Sequence, residues 1–166
     1  FHVIVSPKLV EVGRHINIEV IAPAELARIE GEKGNFTAYV KKLPRYVDVD
    51  KCIACGVCSE KCPAKATDEY NEGLIKRKAI YIPYAQAIPF KYVIDRDRCI
   101  YFKKKGRCKA CEKHCPADAI NFEDQEEEIA LKTGAVILSA GTNVYDAAGL
   151  DAHYHYNGHP DIITSL

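Results

Sequence analysis

The sequence predicts an α+β fold in which a cysteine- and loop-rich stretch from Asp48 to Phe122 lies between segments that carry helix and strand signals. The texture of the chain changes at Pro44, and all eight cysteines fall between Cys52 and Cys115. Within that span the sequence repeats: Cys52 to Ala66 and Cys108 to Asn121 each run through a cysteine cluster into Cys-Pro-Ala. On either side lie apolar runs closed by Gly, Pro or Ser, the pattern of strands in a layered domain.

Ser6 followed by Pro7 is a helix-start signal, so a short helix is expected over 7–14, with Gly13 near its stop. Ile16, Ile18, Val20 and Ile21 predict a partly buried strand closed by Pro23. A hairpin follows, with arms 24–30 and 35–41 joined by Gly31-Glu32-Lys33-Gly34; residues 24–33 alone would also suit a helix, and strands are favoured. Between the two cysteine clusters, residues 69–93 hold five aromatic rings and Pro83 and Pro89. That is too aromatic for a free linker and too broken for a helix, so this insertion is expected to pack over the cysteines. After Phe122, Glu126-Glu127-Glu128 reads as a solvated turn. Ile129 and Leu131 alternate, Gly134 turns the chain, and 135–138 predict a buried strand ending at Ser139-Ala140-Gly141. Organisation like that of a nucleotide-binding domain has then returned.

Composition narrows the function classes. Lys plus Arg (23) equal Asp plus Glu (23), so no net field attracts nucleic acid or an anionic membrane. The longest apolar stretch, around 135–138, is far short of the roughly 20 residues needed to span a bilayer. The first residues lack a basic stretch and a long apolar run, so no secretory signal is expected, and a chain with no Met reads as a piece of a longer protein. Eight cysteines without an export signal predict a reducing, cytoplasmic setting in which clustered thiols bind metal.

The first cluster reads Cys52-x2-Cys55-x2-Cys58-x3-Cys62-Pro63, the spacing by which bacterial-type ferredoxins hold 4Fe-4S clusters. Three thiolates two residues apart lie on one tight loop and reach three irons of a cubane. The fourth iron must be met from elsewhere, and Cys62 is left for a second cluster. Gly56 permits the backbone angles such a loop needs, while Ile53, Ala54 and Val57 exclude water. The second cluster reads Cys99-x8-Cys108-x2-Cys111-x3-Cys115-Pro116, with a first gap of eight residues that loop entropy tolerates. The repeat assigns Cys52, Cys55, Cys58 and Cys115 to one cubane and Cys99, Cys108, Cys111 and Cys62 to the other. Structural zinc, which takes two separated ligand pairs, and a disulfide framework both fit this spacing less well.

Other features carry less chemistry. His153, His155 and His159 alternate with tyrosines but have no partner carboxylate pattern, and no site is assigned to them. Lys103, Lys104, Lys105 and Arg107 form a basic run that is either a solvated face or a dock for an acidic redox partner. No G-x-G-x-x-G occurs, so a pyrophosphate-gripping turn is not in this chain.

The run from Ser6 to His15 followed by Asn17-Ile18, with Gly34-Asn35-Phe36, Pro44 to Asp48, Lys76 to Pro83 and Cys99 to Phe102, resembles the iron-sulfur flavoprotein of heterodisulfide reductases across essentially the whole chain. That resemblance implies a two-cluster ferredoxin-like domain, residues 45–124, inserted into a thioredoxin-reductase-like FAD-binding domain of α/β type whose two segments are residues 1–44 and 125–166. It also implies a flavin that splits electron pairs between high- and low-potential acceptors, and other redox subunits as partners. Where the family's flavin-proximal strand ends Ala-Thr-Gly, this chain has Ser139, Ala140 and Gly141, which the resemblance implies as a partial FAD contact. Where many members carry a further ligating Cys, this chain has Val3. The implied function is electron transfer between FAD and partner subunits of an oxidoreductase complex. The rival readings are a free-standing ferredoxin-type carrier and the related flavoprotein of a quinone-interacting or aromatic-ring-reducing complex.

Overall fold

A computed structural model describes residues 2–141 and 145–163, in two compact units, Phe1–Gly134 and Ala135–Leu166. The first unit opens with helix α1, His2–Arg14. The helix starts before the Ser-Pro signal and carries Pro7 inside it, losing the one amide bond that Pro7 cannot donate. Gly13 is a close-approach residue and not the stop: a Cβ there would lie 2.8 Å from Ile88 Cγ2. The strand expected over 16–21 is absent. These residues form a turn and an extended connection with Ile16 95% exposed, because an apolar run becomes a strand only where a neighbour accepts its amides, and none pairs with this one.

The hairpin forms as strands, β1 (Ala24–Glu32) and β2 (Asn35–Lys42), with pairing tightened to Glu32↔Asn35 around Lys33 and Gly34. Gly34 sits at φ 86, where a side chain would be strained. On its other edge β2 pairs antiparallel with β7 (Glu127–Thr133), so the strands flanking the cysteine module meet in one sheet, ordered β1-β2-β7. Ile129 and Leu131 alternate along β7 as expected, but the three glutamates are not a solvated turn. Glu127 and Glu128 begin the strand, and Glu126 and Glu128 pair with Lys41 at 3.0 Å and Arg28 at 3.0 Å, because the register sets them opposite basic residues.

The module between β2 and β7 holds four short strands in two pairs: β3 (Lys65–Thr67) with β4 (Lys76–Lys78), and β5 (Ile80–Tyr81) with β6 (Val93–Ile94). Helices α2 (Val57–Lys61), α3 (Ile100–Lys103) and α4 (Ala110–Lys113) are each about one turn, and α2 packs on α4. A bridge from Val47 to Ile120 ties the start of the module to its end. Its core joins Tyr46, Val47, Ile80, Ile94 and Phe122 to the buried Cys52, Cys58, Cys99 and Cys111. Phe122 stacks on Tyr101 at 3.8 Å, and Tyr46 meets Phe102 at 4.6 Å.

In the second unit, a 3-10 turn (Ala147–Leu150) leads into α5 (Asp151–Tyr154). The strand expected over 135–138 is not formed: the segment is irregular, with Ile137 89% exposed. No helix among the described residues is long and apolar enough to cross a membrane.

Candidate metal centre

Two small, mostly apolar cavities lie in the cysteine module, and the eight thiols divide between them. Cys52, Cys55, Cys58 and Cys115 line the first, with Val47, Tyr92, Pro116 and Ile120. Cys62, Cys99, Cys108 and Cys111 line the second, with Pro63, Ile80, Ile94 and Ile100. The structure thus brings together the same two sets of four that the internal repeat predicts.

The division follows from two short helices. Cys58 lies inside α2 and Cys62 is its C-cap, so about one helical turn carries the chain from the first cavity to the second. Helix α4 does the reverse, from Cys111 in the second cavity to Cys115 beside the first. The loop before α2 is tightly wound. Gly56 caps the helix at φ 93, and Ala54 also takes a positive φ of 55, a strain that the sequence gives no reason to expect of alanine. The eight-residue gap after Cys99 is absorbed by α3, then by Lys105 and Gly106 at φ 47 and 80, with the Gly106 amide donating to the Tyr101 carbonyl at 2.8 Å. The side chains of Lys103, Lys104 and Lys105 project into solvent from that bend.

Burial pushes the Cys58 and Cys111 thiols up to about 12, with neighbouring thiols of the same cavity adding to the shift. Burial also raises Cys99. A thiolate is favoured in such a place only when a metal takes the proton's position. Among the described residues, no group of three or more His, Cys, Asp or Glu side chains is arranged to hold a single ion. Zinc would draw four sulfurs to about 2.3 Å from one point. A cubane binds each thiolate to a different iron, and four thiols ringing an apolar cavity are the donor set it requires.

The insertion packs over both cavities: Ile80, 1% exposed, lines the second and Tyr92 the first. Two of its lysines, invisible as site residues in the sequence, grip cysteine carbonyls: Lys78 Nζ donates to Cys62 O at 2.7 Å, and Lys91 Nζ donates to Cys52 O. Arg45, buried at the entry to the module, donates to the carbonyls of Ala22, Lys91 and Tyr92. Only the aromatic density of the insertion hinted at these contacts.

Ser139, Ala140 and Gly141 lie exposed on an irregular segment, and a Cβ on Gly141 would meet nothing within 4 Å. His159 lies 3.8 Å from Asp161 in an open surface depression, and neither His153 nor His155 lines it.

Residues 51–119 match the family model of the 4Fe-4S dicluster domain. Over 98% of its length the chain is 44% identical to the iron-sulfur subunit of the CoB-CoM heterodisulfide reductase of Methanocaldococcus jannaschii, of which it covers 24%. The same share of the chain is 39% identical to the corresponding subunit of the H2:CoB-CoM heterodisulfide,ferredoxin reductase of Methanothermobacter thermautotrophicus, of which it covers 24%. It is 37% identical to the corresponding subunit of the ferredoxin:CoB-CoM heterodisulfide reductase of Methanosarcina mazei, of which it covers 20%. The chain thus spans about a quarter or less of the length of these relatives. It contains a 4Fe-4S dicluster domain of mixed α and β structure and is homologous along almost its whole length to one segment of this heterodisulfide reductase subunit.

Proposed function

From that homology to a segment of an oxidoreductase subunit, we propose that this chain is the electron relay of a heterodisulfide-reductase-like complex. Residues 45–124 form its two-cluster domain, and residues 1–44 and 125–166 are segments of an interrupted flavin domain. In this reading Cys52, Cys55, Cys58 and Cys115 hold one 4Fe-4S cluster, and Cys99, Cys108, Cys111 and Cys62 hold the other. The clusters supply one-electron chemistry, and the chain's own residues hold them, keep water away and fix their separation through α2 and α4. FAD elsewhere in the parent protein is the electron partner on one side and redox subunits are the partners on the other, in a cytoplasmic assembly. The observation that carries the relay is the division of eight thiols into two matching apolar cavities joined by one-turn helices.

The test is metal and cofactor analysis of the chain purified without oxygen. About eight irons and eight sulfides, brown absorbance near 400 nm that bleaches with dithionite, and no stoichiometric flavin are expected. Zinc in place of iron, or one tightly held flavin per chain, would overturn the reading.

A further inference from the structure

We propose that Lys78 and Lys91 are matched positioning residues, each holding the backbone of one cysteine loop and placing a positive charge that sets the reduction potential of one cluster apart from the other. Both come from the insertion over 69–93, which the repeated cysteine motif does not require. Their contacts are parallel. Lys91 Nζ donates to the carbonyl of Cys52, which lines the first cavity, and Lys78 Nζ donates to the carbonyl of Cys62, which lines the second, at 2.7 Å. Each lysine is held in turn by an arginine. Arg45 Nη1 donates to the Lys91 carbonyl at 3.1 Å, and Arg77 Nη1 donates to the Lys78 carbonyl at 3.3 Å.

A half-buried ammonium normally finds a carboxylate. Among the described residues both lysines spend their donors on neutral carbonyls instead, which leaves their charges uncompensated beside the cavities. Adding an electron to a cluster adds negative charge, so a fixed cation at short range and in low dielectric favours the reduced form. The two arrangements then diverge at the arginines. Arg77 is neutralised by Asp95 at 2.8 Å and Glu69 at 2.7 Å. The guanidinium of Arg45 meets only carbonyls, and the carboxylate nearby, Asp124, is used by the backbone amides of Arg45 and Tyr46. Of the partly or fully buried cations held on carbonyls, Arg45 and Lys91 therefore stand uncompensated at the first cavity and Lys78 at the second, which makes the Cys52 cluster the easier to reduce.

The inference rests on the two-cluster reading, and the test separates the two. Iron, sulfide and redox midpoints, followed by electron paramagnetic resonance, are measured on the chain as purified without oxygen and on Lys78→Gln, Lys91→Gln and the two Lys→Arg variants. Cys55→Ser and Cys108→Ser assign each signal to its cavity. With iron content unchanged, Lys91→Gln lowers the midpoint of the Cys52 cluster alone and Lys78→Gln that of the Cys99 cluster alone. The expected change is about tenfold in the reduction equilibrium, or about 59 mV for a one-electron couple. The arginine variants keep the wild-type midpoints. A glutamine variant that loses only its own cluster, restored by arginine, equally supports the assignment. Unchanged midpoints at full iron, a shift of both clusters together, or an arginine variant that behaves as glutamine does would overturn it. A wild-type chain without iron would instead bring down the two-cluster reading itself.

Discussion

The two cavities have four thiols each and an apolar lining with one Cys-Pro, yet they are supported differently. The first is backed by Arg45, buried among carbonyls, and roofed by Tyr92; the second is backed by Arg77, which sits between two carboxylates, and roofed by Ile80. What the halves share is the cysteine repeat, and what separates them comes from residues between and before the repeats. A duplicated donor set makes two equal sites. Residues of the insertion, and Arg45 before the first cysteine, give the two cavities unequal surroundings.

Four substitutions break or sharpen this contrast, in falling order of expected effect. Ile80→Ala removes the most buried large side chain and opens space against the second cavity. It should cost about 2–5 kcal/mol in chemical unfolding and release the Cys99 cluster before the Cys52 cluster. Asp95→Asn breaks the pair with Arg77 and should cost about 2 kcal/mol, less than a fully buried pair because Glu69 remains. It should also raise the midpoint of the Cys99 cluster, making the second cavity electrostatically more like the first. Gly56→Ala forces a side chain onto φ 93, although a Cβ there would meet only Tyr92 Oη at 3.7 Å. The expected cost is about 1 kcal/mol of backbone strain, seen as faster iron loss from the Cys52 cluster. Replacing Lys103, Lys104 and Lys105 together with Gln should leave unfolding within about 0.5 kcal/mol and lower the Cys99 cluster midpoint slightly, by an amount that disappears as salt is raised.

Sequence legibility follows the same contrast between self-contained and long-range features. Cysteine spacing is a local pattern, so the grouping of the thiols around two cavities and the packing of the insertion over them could be read in advance. The hairpin could be read too, because Gly31 and Gly34 bracket its turn and its arms pair with each other. The runs over 16–21 and 135–138 carry equally good strand patterns, but a strand is completed by a ladder: residues 16–21 join none of the described sheets, and residues 135–138 are irregular with Ile137 exposed. Lys78, Lys91 and Arg45 escaped notice for a related reason: each acts on a carbonyl 16, 39 or up to 47 residues away, and no local pattern encodes such a contact. The glutamates at 126–128 looked like a turn because their partners, Lys41 and Arg28, come from the far side of the module.

In the proposed crossed arrangement each one-turn helix carries one thiolate to each cluster, so that the cysteine nearest a triplet in sequence serves the other cluster. Cys62→Ala and Cys115→Ala test it most directly, read by electron paramagnetic resonance of the reduced protein once the two wild-type signals are assigned. Cys62→Ala should remove or convert the cluster of Cys99, Cys108 and Cys111 and leave the other signal intact, and Cys115→Ala should do the opposite. Loss of the Cys52, Cys55 and Cys58 cluster in Cys62→Ala, with the second cluster spared, would contradict the crossed arrangement.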